Sequence, residues 1–401
     1  MLEIRPILSA LTRHKSTTLL TIIQVALTFA VVVNSISIIN QRLALMDRDS
    51  GFAESQLITL GMNPFSDDYD FETNFRADMS LLRNIPGVID AVISSVVPLS
   101  GSGSSSTVAT SEENADSDQN MPAGIFRGDT HFLGTFGLDL VAGRNFNEDE
   151  IIYSENFVKP RVVMITQALA DKLYPEQDAL GEPIHFWNEQ ATIIGIIRTM
   201  AGPWVNSTQF MNNLIVPTIS LNSFNSLVIR VEETDMASML GSVEKLLLER
   251  NPNRVITSIR SLKETKQRSY SNHHAMTQIL WAVITLLVFI TALGIVGVVS
   301  FNVNQRIKQI GIKRALGAQK IDILRYFITE NVLITGMGVL LGTIITIFLN
   351  NYLVADFRLS ALPWIYIPIG AVIMLTMGVL AVWAPARKAS RVSPVVATQT
   401  I

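Results

Sequence analysis

Four apolar runs of bilayer length set the first limit on what this chain can become: residues 17–39, 277–303, 330–351 and 364–384. Each approaches or exceeds the ~20 residues that a helix needs to cross a hydrocarbon core of about 30 Å. None contains Asp, Lys or Arg, and Glu330 stands only at the edge of the third. Lipid offers a spanning backbone no water to bond, so each run is expected to be helical. A cleaved signal peptide is the rival reading of the first run. Its apolar length exceeds the ~7–15 residues of a signal core, which favours a retained anchor. Residues 40–276 hold no such run and are long enough to bury a core of their own.

Charge gives these runs a direction. Arg5, Arg13 and Lys15 precede or border the first, and Arg387, Lys388 and Arg391 follow the fourth. Between the second and third lie Arg306, Lys308, Lys313, Arg314, Lys320 and Arg325, opposed only by Asp322. Positive loops stay in the cytoplasm. Segments 1–16, 304–329 and 385–401 are therefore expected inside, and 40–276 with the short loop 352–363 outside. Residues 40–276 carry 30 acidic and 18 basic groups, although the whole chain has a net charge of only −3. So acidic a domain argues against nucleic acid as a partner. Trp281, Trp364, Tyr366 and Trp383 fall near the ends of the runs, where aromatic rings favour the membrane interface. Gly338 and Gly342 form a small-xxx-small pair that would permit close helix contact.

Within 40–276 the hydrophobic period switches repeatedly between two and 3.6. Strands are expected at 56–60, 88–97, 161–165, 191–198, 226–231 and 255–259, and helices at 71–84, 167–174 and 236–251. Segment 132–146 reads as a helix-to-strand turn punctuated by Gly137 and Gly143, and 179–186 as a turn into a strand. The Ser-, Gly- and acid-rich stretch 101–120 reads as a flexible connection or hairpin excursion. The sum is an α+β domain of two subdomains, one of them an excursion at about 112–200.

The basic segment has a pattern of its own. Ile307, Ile310, Arg314 and the Ala315–Leu316 pair would extend the preceding span, and Gly317 supplies a turn. Ile321, Leu324, Phe327 and Ile328 then make the apolar stripe of a second helix. Such a helix can lie along the inner membrane face and offer its polar side to a cytosolic protein. Catalytic signatures are missing from these 401 residues: there is no Cys, no GxxxxGKS/T, no HExxH and no GxSxG. His273 and His274 are chain neighbours that point apart on a helix, which disfavours a metal site. Asp67, Asp68, Asp70 and Glu72 read as a solvated acidic loop rather than a cation site. The lack of charge in mid-span weighs against ion-coupled transport.

The segment NQRIKQIGIKRALGAQKIDILRYFITENVL (304–333) and the tail PARKASRVSPV (385–395) resemble the corresponding motifs of MacB-type permeases. These belong to the FtsX-like group of ABC transporter membrane subunits. FLGTFGLDLVAGRNF, VVMITQALADKLYPEQDALGEPIHF and ATIIGIIRTM resemble the MacB-type periplasmic domain. Ser393 departs from a common Asp, and 101–120 is richer in Ser and acid than the family pattern. The resemblance implies a four-helix α-helical membrane protein with a large α+β extracytoplasmic domain, in a bacterial inner membrane with both termini cytoplasmic. It implies a non-catalytic subunit that binds no cofactor, with ATP and Mg on a cytosolic ABC ATPase docked at 306–325. A second permease copy or a related permease, a periplasmic adaptor and an outer-membrane duct are the further partners implied. Gly311, Arg314, Ala315, Leu316, Gly317 and Ala318 would form the coupling turn, with Ile321, Leu324 and Phe327 seating the helix that follows. Export of peptides, drugs or other amphipathic molecules is the implied function. Lipoprotein release, or mechanotransmission to an envelope enzyme, is the alternative.

Overall fold

The computed structural model describes residues 15–65, 68–111, 113, 120–156, 158–187, 189–357 and 361–391. Arg5, Arg13, Asp67, most of the acidic run at 112–119, Arg358 and the tail beyond Arg391 lie outside the described residues. The chain divides into a helical unit, residues 1–46 with 273–401, and an α+β unit, residues 47–272.

Helix α1 (Lys15–Met46) comes first. The α+β unit begins with β1 (Leu57–Pro64), α2 (Phe71–Arg83), β2 (Val88–Ser94), β3 (Ser104–Ala109) and β4 (Met121–Arg127). It continues through α3 (Phe132–Phe136), β5 (Leu140–Gly143), β6 (Ile152–Ser154), β7 (Val162–Thr166) and α4 (Gln167–Leu173). Then come β8 (Pro183–Phe186), β9 (Glu189–Ile197), β10 (Asn213–Val216), β11 (Thr218–Ser220) and β12 (Ser226–Val231). It ends with α5 (Met236–Arg250), β13 (Arg254–Ser261) and α6 (Leu262–Ser269). The closing helices are α7 (Ser271–Gln305), α8 (Ile307–Ala315), α9 (Lys320–Phe357) and α10 (Tyr366–Ser390).

One antiparallel sheet has the order β13-β1-β12-β2. Alternation along β1 sends Ile58, Leu60 and Met62 to a core shared with α2 and α5, whereas Leu57 faces a second core with Phe132 and Phe136. The sheet is therefore buried on both faces. Asp70 caps α2, its carboxylate accepting the Thr73 amide at 3.0 Å, and Glu72 pairs with Arg76 at 2.9 Å. Two members of the acidic loop thus start and brace a helix.

The second sheet has the order β5-β9-β7-β10-β4-β3-β8, and β8 also pairs with β9. Six strands consequently close on themselves, which leaves few edges exposed. This sheet draws on residues from Ser104 to Val216, a wider span than the excursion expected at about 112–200. Of the two readings of 101–120, a flexible connection or a hairpin excursion, the second fits: β3 pairs antiparallel with β4, the next strand, and also with β8. Its end is fixed by burial of Val108 and Ala109, which outweighs the serine-rich composition before them.

Between α2, α5 and β13 lies a charged cluster built on a fully buried ion pair. Asp78 and Arg254 are paired with both side chains fully buried, and Arg250 Nε donates to Asp78 Oδ1 at 2.6 Å. The Arg254 Nη2 group also donates to the Leu247 carbonyl at 2.9 Å. Three segments distant in sequence meet on this one carboxylate.

The helical unit is built around α1, the most buried of four helices long and apolar enough to cross a membrane. Gly338 and Gly342 of α9 face it directly. A Cβ at Gly338 would stand 2.6 Å from Val25 Cγ1, and one at Gly342 would stand 2.8 Å from the Ala26 carbonyl oxygen. The small-xxx-small pair is a helix contact.

Two predictions follow from this packing. Gly342→Leu forces a side chain into backbone, an overpacking cost of about 1–3 kcal/mol or more. It should reduce the monodisperse fraction and melting temperature of the detergent-solubilised full chain, while Gly336→Leu, on the same helix with open space around it, should not. Asp78→Asn strips the buried arginines of their counter-charge and should cost about 3–5 kcal/mol. Thermal unfolding followed by circular dichroism should show that loss, against under about 1 kcal/mol for Glu72→Gln at an exposed pair.

Candidate coupling surface

The link between α7 and α9 is a short helix between two breaks. The first break is at Arg306, whose backbone (φ −101°, ψ 12°) leaves the helical path. The expectation that 307–316 continues the preceding span is therefore corrected: α8 is a separate helix. The cause is tertiary. Arg306 turns back so that Nη1 reaches the Glu330 carboxylate at 3.1 Å and donates to the Tyr326 hydroxyl at 3.3 Å. Glu330 is buried, and a buried carboxylate in an apolar span requires such a partner. Lys313 of α8 sits over the same Tyr326 ring, 5.1 Å from its centroid. Arg306, Lys313, Tyr326 and Glu330 together pin α8 to α9.

The second break is a Schellman motif. The Ala318 amide donates to the Lys313 carbonyl at 3.0 Å and the Gly317 amide to the Arg314 carbonyl at 3.2 Å. Gly317 has φ +100°, and a Cβ there would meet nothing within 4 Å. Backbone conformation, not crowding, requires glycine here. Arg314 Nη1 crosses the turn to the Ala318 carbonyl at 3.0 Å. The Gln319 amide then donates to Asp322 Oδ2 at 2.8 Å, starting α9.

The sequence-expected residues divide into a base and a rim. Gly311 and Phe327 are buried, Leu324 is half-buried, and both Phe327 and Leu324 pack with Ile310, Val382, Ala386 and Ala389 against α10. Arg314 and Ala318 are half-buried in the turn, and Ala315 and Gly317 are exposed on it. Leu316 is 84% exposed, and Ile321 is 43% exposed. Ile321 therefore does not seat α9, as the sequence suggested. Ile323 does, at 5% exposure. With Ile312, also exposed, Leu316 and Ile321 make an apolar rim flanked by exposed Lys313, Lys320 and Arg325.

The Arg306–Glu330 clasp was missed as a site. Its signal was a single acid at the start of an apolar run, 24 residues after a base that ends another.

Residues 18–246 match the MacB-like periplasmic core domain, and residues 281–394 match the FtsX-like permease C-terminal domain. The ABC transporter permease YknZ of Bacillus subtilis is 22% identical over 406 residues, 98% of this chain and 97% of that one. YvrN, a permease of the same organism, is 23% identical over 285 residues, covering 68% of each chain. The macrolide export ATP-binding/permease protein MacB of Neisseria meningitidis is 26% identical over 325 residues, 76% of this chain and 46% of that protein. The chain thus spans about half the length of the MacB relatives it matches. The periplasmic region of MacB from Actinobacillus actinomycetemcomitans aligns over 56% of this chain at 14% identity, with a TM-score of 0.35. Four membrane-length helices, the FtsX-like segment that holds the clasp and turn, and a core-domain match over more than half the chain identify a member of the MacB-like, FtsX-like ABC transporter permease family with an extracytoplasmic domain.

Proposed function

We propose that this chain is the membrane subunit of an ABC exporter, driven by a separate cytosolic ATPase that docks on the rim around Leu316. Both termini and the rim lie in the cytoplasm in this reading, and ATP and Mg are bound by the ATPase. One observation carries it: an exposed Leu at the apex of a turn, ringed by Ile312, Ile321 and basic side chains, on a base pinned to two membrane-length helices. Exposed leucine among lysines suits a partner groove of apolar floor and acidic edge. The clasp makes the turn and α9 one body, so a push at Leu316 is passed to α9 rather than lost in a loop. A second permease, identical or related, completes the transporter, and a periplasmic adaptor with an outer-membrane duct receives cargo. Peptides, drugs or other amphipathic molecules suit a membrane unit whose spans carry no charged path beyond the clasp.

Two measurements test this. The chain has no cysteine, so Leu316→Cys introduces a single label site. An impermeant maleimide should modify it in inside-out vesicles and leave it untouched in right-side-out ones, while Phe224→Cys shows the opposite. The reverse pattern removes the docking assignment. Gly317→Pro cannot hold φ +100° and deletes an amide donor of the turn. Reconstituted with its ATPase, it should transport at least about tenfold more slowly, a barrier change near 1.4 kcal/mol, with membrane insertion intact. Transport at the wild-type rate would refute coupling through this turn.

A further inference from the structure

Among the described residues three non-glycine positions have positive φ: Leu99 at 60°, Trp187 at 51° and Ser258 at 57°. Such backbone is uncommon and collects at ligand clamps. All three bear on one place in the α+β unit. Ser258 lines a cavity of about 540 Å3, and Leu99 directly precedes Ser100, which also lines it. The Trp187 ring centroid lies 5.5 Å from the guanidinium of Arg127, another lining residue.

The cavity lies where β1, β12 and β13 of the four-stranded sheet meet the end of β4 and the 95–104 loop. Its volume falls in the range of about 300–1,000 Å3 typical of small-molecule sites. Most of the residues that line it are Ser, Thr or Asn, although about half of the exposed lining surface is apolar, to which Phe224 adds an exposed face. Among the described residues two charged ones line it, Arg127 and Arg260, and no carboxylate does. That is unexpected for a region of 30 acidic and 18 basic residues. Arg127 Nη1 donates to Ser220 Oγ at 3.0 Å, and among the described residues no acidic side chain pairs with it. Burial alone pushes its pKa down. A half-buried guanidinium held by a serine and an indole, in a cavity that a second arginine also lines, is a prepared anion seat.

We propose that this cleft binds a small organic anion, a carboxylate- or phosphate-ended molecule with a hydroxyl- or amide-bearing body, whose charged end sits between Arg127 and Arg260. The site does not depend on how the helical unit is driven.

Calorimetric titration of the full chain in nanodiscs, with triserine acid, triserine amide and glycerol phosphate as probes, tests it. At least one acid should saturate. Saturation by triserine acid alone identifies a carboxylate ligand, and by glycerol phosphate alone a phosphate ligand. Triserine amide should bind more weakly than triserine acid wherever the acid binds. Arg127→Gln should weaken the bound acid about ten- to a hundredfold, the loss expected for a charge-assisted bond, and Arg260→Gln supplies the same comparison should Arg127→Gln fail to fold. Absence of saturation by either acid up to about 10 mM, an affinity of only ~3 kcal/mol or less, overturns the proposal. So does equal binding of the triserine amide and acid, or unchanged binding in the folded arginine variants.

Discussion

Apolar side chains gain little by leaving lipid for one another, so membrane helices are held by close backbone approach and by polar contacts between helices. In this protein the close approach converges on α1. Gly338 and Gly342 of α9 press against Val25 and Ala26, and Gly370 of α10 stands where a Cβ would lie 2.5 Å from Val33 Cγ2. Phe29 fills the space beside Gly342 and Gly370 and is fully buried. The Thr28 and Thr291 hydroxyls, 2.7 Å apart, tie α1 to α7. Helices that are remote in sequence therefore share one spine. With backbones packed this closely, a displacement of α9 would have to be shared by α1.

The Arg306–Glu330 clasp adds direction to that arrangement. A buried ion pair is poor as a stabiliser, because desolvating two charges offsets much of their attraction. It is strong as a specifier, since either charge alone is costly in an apolar setting. Here it breaks the chain at Arg306 and fixes where α8 begins, and the Schellman turn ends that nine-residue helix. The charges thus determine where the rim is presented, and the exposed Ile312, Leu316 and Ile321 determine what it can meet.

The four apolar helices were legible because lipid imposes a composition on twenty consecutive residues, a signal that tertiary context cannot dilute; their ends were not, since α9 begins at Lys320, ten residues before its apolar run. The Gly317 turn was legible for a local reason: a helix ending at a glycine leaves few other backbones. The clasp was not, because nothing near Arg306 in sequence breaks a helix. Its partner lies on the other side of the turn. Phase in α9 failed for a related reason. The buried stripe is Ile323, Phe327, Glu330 and Ile334, spaced as a helix requires, but its third member is an acid and reads as a solvent-facing residue. Ile321 then looked like the better start. In the α+β unit, β1, α2 and β12 follow their alternation or cap. Strand β10 does not: four buried residues pair in parallel with β4, far upstream. So short a run is indistinguishable from a loop until its neighbours are known.

The same contrast explains where strain is found. The four-stranded sheet is open, but Asp78 of α2 with Arg250 of α5 and Arg254 anchors its edge strand β13, and six strands of the larger sheet close through β8 and β9. Between two such bodies the connecting backbone must absorb the mismatch. It does so at Leu99, between β2 and β3, whereas the positive φ of Ser258 falls inside β13, where its pairing with β1 shifts register. The closed larger sheet and the anchored β13 thus give the cleft near Arg127 walls built on regular elements. A site meant to discriminate among ligands gains from that, because little ordering remains to be done when one arrives.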